Sequence, residues 1–111
     1  MQIHEDNQGA VTILRPEGPL VGQDAEDLGQ RLALRVEECL GRVALDLAAV
    51  PYCDSRGLEV LVDADQHLSR RGQSLKVCAL SPTLREVMEL TGLSGRFEHF
   101  GDTTAAIRSF L

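Results

Sequence analysis

The chain has 111 residues, 43% hydrophobic and 25% charged, with a formal net charge of -6. That length makes one domain, residues 1–111, able to bury a single core without disulfides or metal. The acidic balance excludes nucleic acid as a partner, because no basic stripe exists to neutralise phosphates, and it disfavours an anionic membrane surface for the same reason.

Met1 to Asp6 reads as an edge strand, followed by the polar turn Asp6-Asn7-Gln8-Gly9. Ala10 to Leu14 is a second strand, with Val11 and Ile13 on one face and Thr12 and Leu14 on the other. Pro16, Gly18, Pro19 and Gly22 then break regular structure. A first helix places Ala25, Leu28, Leu32, Val36, Cys39 and Leu40 on one apolar stripe, and Gly41 ends it as a left-handed residue past the last turn. Val43 to Leu47 is short and wholly apolar apart from Asp46, the pattern of a central strand buried on both faces. The next helix buries Leu58, Leu61, Val62 and Leu68 and stops at Gly72, with Arg70 and Arg71 where the helix dipole favours cations. Leu75 to Leu80 is a strand, and Ser81-Pro82 starts a helix through Leu84, Val87 and Met88 that ends at Gly92. Phe97 to Phe100 is a last strand, and Asp102 or Thr103 caps a final helix burying Ala106, Ile107 and Phe110. The order β-β-α-β-α-β-α-β-α implies an α/β domain: a parallel or mixed sheet covered by helices.

The densest chemistry lies in VALDLAAVPYCDSRGLEVLVDA, from Val43 to Ala64, where a strand gives way to a helix through Asp54-Ser55-Arg56-Gly57. Amides at a helix start are unpaired and carry partial positive charge, so an anion is stabilised there. Ser55 is thus the position where a phosphate is physically cheap. Asp54 reads as the helix cap, accepting from the amide of Arg56 or Gly57. Gly57 implies either close approach to its backbone or a tight strand-helix junction. Arg56 reads as exposed, since an unpaired buried guanidinium is prohibitive. Tyr52, the only tyrosine, has as its default a buried ring at a strand end with a satisfied hydroxyl.

The same residues carry a family resemblance. DLAAVPYCDSRGLEVL resembles the signature of the STAS domain, the family that includes bacterial anti-sigma factor antagonists. KVCALSPTLREVMELTGLSGRF and PEGPLVGQDAEDL are similar to that family's later strand-helix unit and its Gly-x-Leu segment, so the likeness spans the chain in order. The resemblance implies a single STAS-type domain, a mixed sheet flanked by helices, and no catalytic activity. It implies that Ser55 is the phospho-acceptor of a partner-switching protein. The partners implied are an anti-sigma factor that is also a serine kinase of GHKL type, and a serine phosphatase that resets the cycle. Tyr52, Asp54, Ser55, Arg56, Gly57 and Leu58 are the expected contact residues. The alternative within the family is a constitutive adaptor or scaffold subunit, of a lipid-transport ABC system or a signalling complex, with no phospho-switch. Arg56 departs from the Ser or Thr usual in the antagonists, and Val21 from an acid that many of them carry.

Other chemistries find little support. A Ser55 nucleophile needs a general base and an oxyanion pocket, and the motif has no histidine. His4, His67 and His99 are scattered and pair with no Cys or carboxylate at ligand spacing, so no metal or cofactor is assigned. Cys39, Cys53 and Cys78 are an odd count without redox spacing, set among apolar residues, which points to a reducing compartment. With no charged-then-apolar leader and no bilayer-length apolar run, the expectation is a cytoplasmic protein without membrane insertion.

Overall fold

The computed structural model describes residues 1–111. It contains β1 (Gln2–Gln8), β2 (Val11–Glu17), α1 (Gly22–Glu38), β3 (Val43–Asp46), α2 (Ser55–Ser69), β4 (Lys76–Cys78), α3 (Pro82–Leu90), a short 3-10 turn (Ser94–Arg96), β5 (Glu98–Phe100) and α4 (Thr103–Arg108). The five strands lie in the order β1-β2-β3-β4-β5, so β3 is central. Only β1 and β2 are antiparallel; β2 through β5 run parallel. The mixed sheet and the element order are those expected from the alternation of strand and helix patterns.

Burial explains why β3 sits in the middle. All four of its residues are buried, Val43 and Leu45 on one face and Ala44 on the other. The first face meets Leu28 and Leu32 of α1, Leu61 and Leu68 of α2, and Leu84 and Met88 of α3. The second is thinner: Val11, Ile13 and Ala44 pack on Ala106 of α4, with Phe100, Ile107 and Phe110 partly buried around them. Three helices cover one face and one short helix the other. At roughly 25 cal/mol per Å² of apolar surface, the three-helix side supplies most of the burial energy.

Several local expectations are corrected. β2 does not stop before Pro16 but runs through it to Glu17, because the β3 register ends at Leu14 and only β1 still pairs there. Leu40 is outside the α1 stripe and 58% exposed. It is left-handed, at φ 54°, and Gly41 after it is left-handed as expected, at φ 82°, its amide reaching back to the Val36 carbonyl at 2.8 Å. Cys39 is half-buried. β4 is shorter than its apolar run because Ala79 turns to φ 60°. In α2 the buried side is Gly57, Val60, Leu61, Asp65 and Leu68, while Leu58 and Val62 are only half-buried. Ile107 of α4 and Phe110, just past the end of that helix, are likewise half-buried.

Candidate functional site

Parallel strands that each feed a helix bring the starts of α1, α2 and α3 to one edge of the sheet. The segment Ala48–Asp54 crosses that edge and is stitched to the chain between β2 and α1. The Gly18 amide donates to the Ala49 carbonyl at 2.9 Å and the Leu20 amide to the Tyr52 carbonyl at 3.0 Å. The Asp54 amide donates to the Leu20 carbonyl at 3.3 Å, completing an isolated parallel bridge between Leu20 and Cys53. From the other side Ser81 caps α3, accepting from the Leu84 amide at 3.2 Å, and donates to the Pro51 carbonyl at 3.4 Å.

Asp54 is the cap of α2, as expected, and does more. Its Oδ1 accepts from the Gly57 amide at 2.9 Å, and its Oδ2 accepts from the Gly22 amide at 3.1 Å. Gly22 opens α1, and Val21 before it has no side chain able to cap. One carboxylate therefore serves two helix N-termini, which accounts for an apolar Val21 at a cap position. The Gly57 amide chiefly holds this carboxyl below its usual pKa range; burial opposes it, and the Gly22 amide adds to the lowering.

Because Asp54 supplies the cap oxygen, Ser55 is released from that task. It is the first residue of α2 and exposed. Arg56 is also exposed, but its guanidinium is committed: Nη1 donates to Glu59 Oε2 at 2.7 Å, and Nη2 pairs with Glu26 of α1. It links α1 to α2 beside Ser55. Gly57 is buried, so the expectation that it contacts a partner is corrected to a packing role. A Cβ there would lie 2.4 Å from the Leu20 carbonyl oxygen and 2.9 Å from the Cys53 Cβ. The close approach implied by this glycine comes from Leu20 of the same chain. Tyr52 is corrected in the opposite sense: it is 51% exposed, its ring outside the core, because the loop carries it past the end of β3. Leu58 stands half-buried one turn beyond Asp54.

Two partners of the site were not legible from local sequence. Leu20 reads as an ordinary apolar residue, and Glu26 as a solvated one. Only the parallel packing of consecutive βα units, with Glu26 one turn into α1 and Arg56 at the start of α2, brings Glu26 to Arg56. Burial pushes the Cys53 thiol up, and Asp54 adds to the effect; burial and the Asp46 carboxylate push Cys78 up to about 11. Neither is a ready thiolate. The three histidines lie apart, His4 on Glu17 at 3.2 Å, His67 on Glu37 at 2.5 Å and His99 on the Ser94 carbonyl at 2.6 Å.

The STAS-domain family profile matches residues 2–107. The chain is a STAS domain. It is 31% identical over 110 residues to the candidate anti-sigma factor antagonist BtrV of Bordetella bronchiseptica, covering 99% of this chain and 95% of that one. The crystal structure of a candidate anti-sigma factor antagonist from Thermotoga maritima superposes with a TM-score of 0.88 at 19% identity, covering 96% and 92% of the two chains. The Bacillus anti-sigma factor antagonist SpoIIAA superposes with a TM-score of 0.78 in its unphosphorylated form, at 16% identity over 98% and 96% of the chains. Its phosphorylated form gives 0.72 at the same identity, over 97% and 99%. At such identities the superpositions establish the fold. The full-length kinship with BtrV makes this an antagonist-like STAS domain. No helix of the domain is long and apolar enough to cross a membrane.

Proposed function

We propose that this STAS domain is a non-catalytic partner-switching protein and that reversible phosphorylation of Ser55 controls its partner. The observation that carries the reading is a division of labour at one helix start: Asp54 caps α2, leaving the exposed Ser55 hydroxyl free. Tyr52, Asp54, Ser55, Arg56 and the exposed edge of Leu58 form the contact face, with Gly57 beneath it. The partners are an anti-sigma factor that is also a GHKL-type serine kinase, and a serine phosphatase. SpoIIAA, of the same fold, exists in both phosphorylation states.

A phosphate adds about -1.5 to -2 charges at pH 7. The α2 amides favour that charge, whereas Asp54, Glu26 and Glu59 oppose it, and the two glutamates already engage Arg56. In the free domain water screens the repulsion, and the fold persists. A partner packed on Ser55 must desolvate the phosphate, and an unpaired buried charge costs several kcal/mol. Since ~1.4 kcal/mol is tenfold in affinity, partial desolvation is enough to release a micromolar complex.

The test is to incubate the domain with ATP and each GHKL-type kinase of its own genome, then locate phosphate by mass spectrometry. One phosphate on Ser55, absent from Ser55→Ala, is expected. Ser55→Ala should keep kinase affinity and Ser55→Asp should lower it at least about tenfold. Equal affinity of parent, Ser55→Ala and Ser55→Asp would refute the switch and leave the constitutive adaptor as the function.

A further inference from the structure

A cleft of about 320 Å³ runs between α1 and α2. We propose that it receives a basic amphipathic helix of the partner, the same partner that reads Ser55; the inference rests on that reading only for who carries the helix.

The cleft exists because small residues leave its floor without bulky side chains. Gly29 and Ala33 of α1 and Ala64 of α2 line it, and the absent Gly29 side chain faces Val60, where a Cβ would lie 3.3 Å from a Val60 methyl. Interhelical distance follows side-chain size, so such a floor lets a third backbone approach closely. Ion pairs brace both ends. Glu26 meets Arg56 at one, and Glu37 meets His67 and Arg71 at the other, the last at 2.8 Å. The eleven-residue step from Glu26 to Glu37 spans about 16 Å, three helical turns, so a guest helix seats anchors at i, i+3 or i+4, and i+7.

Charge fixes the kind of guest. The cleft itself is lined by two carboxylates, Glu26 and Asp63, against one guanidinium, Arg56, which is already spent on Glu26 and on Glu59 outside the cleft; beyond its far end Arg71 is likewise spent on Glu37. Asp63 on the rim stands outside all of these pairs. An apolar stripe flanked by lysine or arginine complements that surface, and an acidic helix is repelled. The cleft opens at Arg56, the residue after Ser55, so a helix seated there brings the rest of its protein over the hydroxyl.

The probe is an 18-residue helical peptide with leucines at i, i+3, i+4 and i+7 and lysines on both flanks, paired with a version carrying glutamates for lysines. Each is titrated into the isotope-labelled full chain and followed by NMR. The lysine peptide should move the amides of Gly29, Ala33 and Ala64, and the glutamate peptide should bind at least about tenfold more weakly. Ala33→Arg and Asp63→Lys, both at exposed positions, should each weaken the lysine peptide about tenfold or more. Leu90→Ser on α3, which removes the 79% exposed leucine, should leave binding unchanged. No binding overturns the proposal, as do shifts scattered over the acidic surface that persist in Ala33→Arg. Concentration-dependent shifts of the same amides without peptide also overturn it, since the occupant is then a second copy. The assay contains neither kinase nor phosphate, so its failure is separate from failure of the Ser55 switch.

Discussion

Two helical glycines offer a sharp test of why Gly57 is a glycine. By helix propensity alone, alanine at an interior position of either α1 or α2 gains up to about 1 kcal/mol over glycine. At Gly57 the new methyl would sit 2.4 Å from the Leu20 carbonyl oxygen and 2.9 Å from the Cys53 Cβ. Ordinary contact needs about 3.5 Å, so Leu20 must retreat by roughly 1 Å. That oxygen accepts the Asp54 amide at 3.3 Å, already a long bond, and the retreat breaks it. Overpacking against backbone costs about 1–3 kcal/mol and the lost hydrogen bond about 1. Net of propensity, Gly57→Ala should destabilise by about 2 kcal/mol, lowering Tm by roughly 8–10 °C. At Gly29 the neighbour is a Val60 side chain at 3.3 Å on the edge of an open cleft, which can yield. Gly29→Ala should therefore fall within about 0.5 kcal/mol of the parent. Urea denaturation followed by circular dichroism measures both, with m unchanged if the shift is in stability alone. A Gly57→Ala protein as stable as the parent would show that the Leu20 contact does not constrain the junction.

Ser55→Ala should leave stability within about 0.5 kcal/mol of the parent, because Asp54 and not Ser55 caps α2; a larger loss in thermal denaturation would contradict that assignment. Asp65→Ala should cost about 2–3 kcal/mol, since buried Asp65 accepts the Leu75 amide at 2.8 Å and pairs with Arg96 at 3.2 Å; a urea midpoint equal to the parent's would refute it. Asp54→Asn keeps a capping oxygen but not the charge. The folded carboxyl is held below its ordinary value of 3.8, so its stabilising effect is present above that value and disappears as pH falls through the lowered one. The parent should exceed Asp54→Asn in urea midpoint at pH 6, and the gap should close below about pH 4; a gap independent of pH would contradict the double-cap geometry.

The elements that depend on their own residues were legible in the sequence. β3 announces itself because Val43, Ala44 and Leu45 are apolar on both faces, and α2 because Asp54 precedes its periodic run. What escaped was settled by distant partners. Pro16 stays in β2 because β3 has already ended beside it. Tyr52 is outside the core because Leu20, in a preceding βα unit, fixes the path of its loop. At the site itself, Asp54 was readable as the cap of α2 from a four-residue turn. The second bond of Asp54, to Gly22, and the tie from Arg56 to Glu26 span about thirty residues of chain, and no local pattern encodes them.

The double cap has a mechanical meaning for any enzyme that modifies Ser55. One carboxylate joins the first turns of α1 and α2, and the bridge from Leu20 to Cys53 fastens the segment just before them. Peeling Ser55 away as an extended strand would strip the caps of both helices and uncover the core beneath Gly57, so local fraying at this position is coupled to a much larger opening. An enzyme acting on Ser55 would thus meet a folded surface whose residues come from two separate stretches of sequence. Recognition by shape follows, and a peptide copied from Pro51 to Glu59 would present the serine without the surface that makes it recognisable.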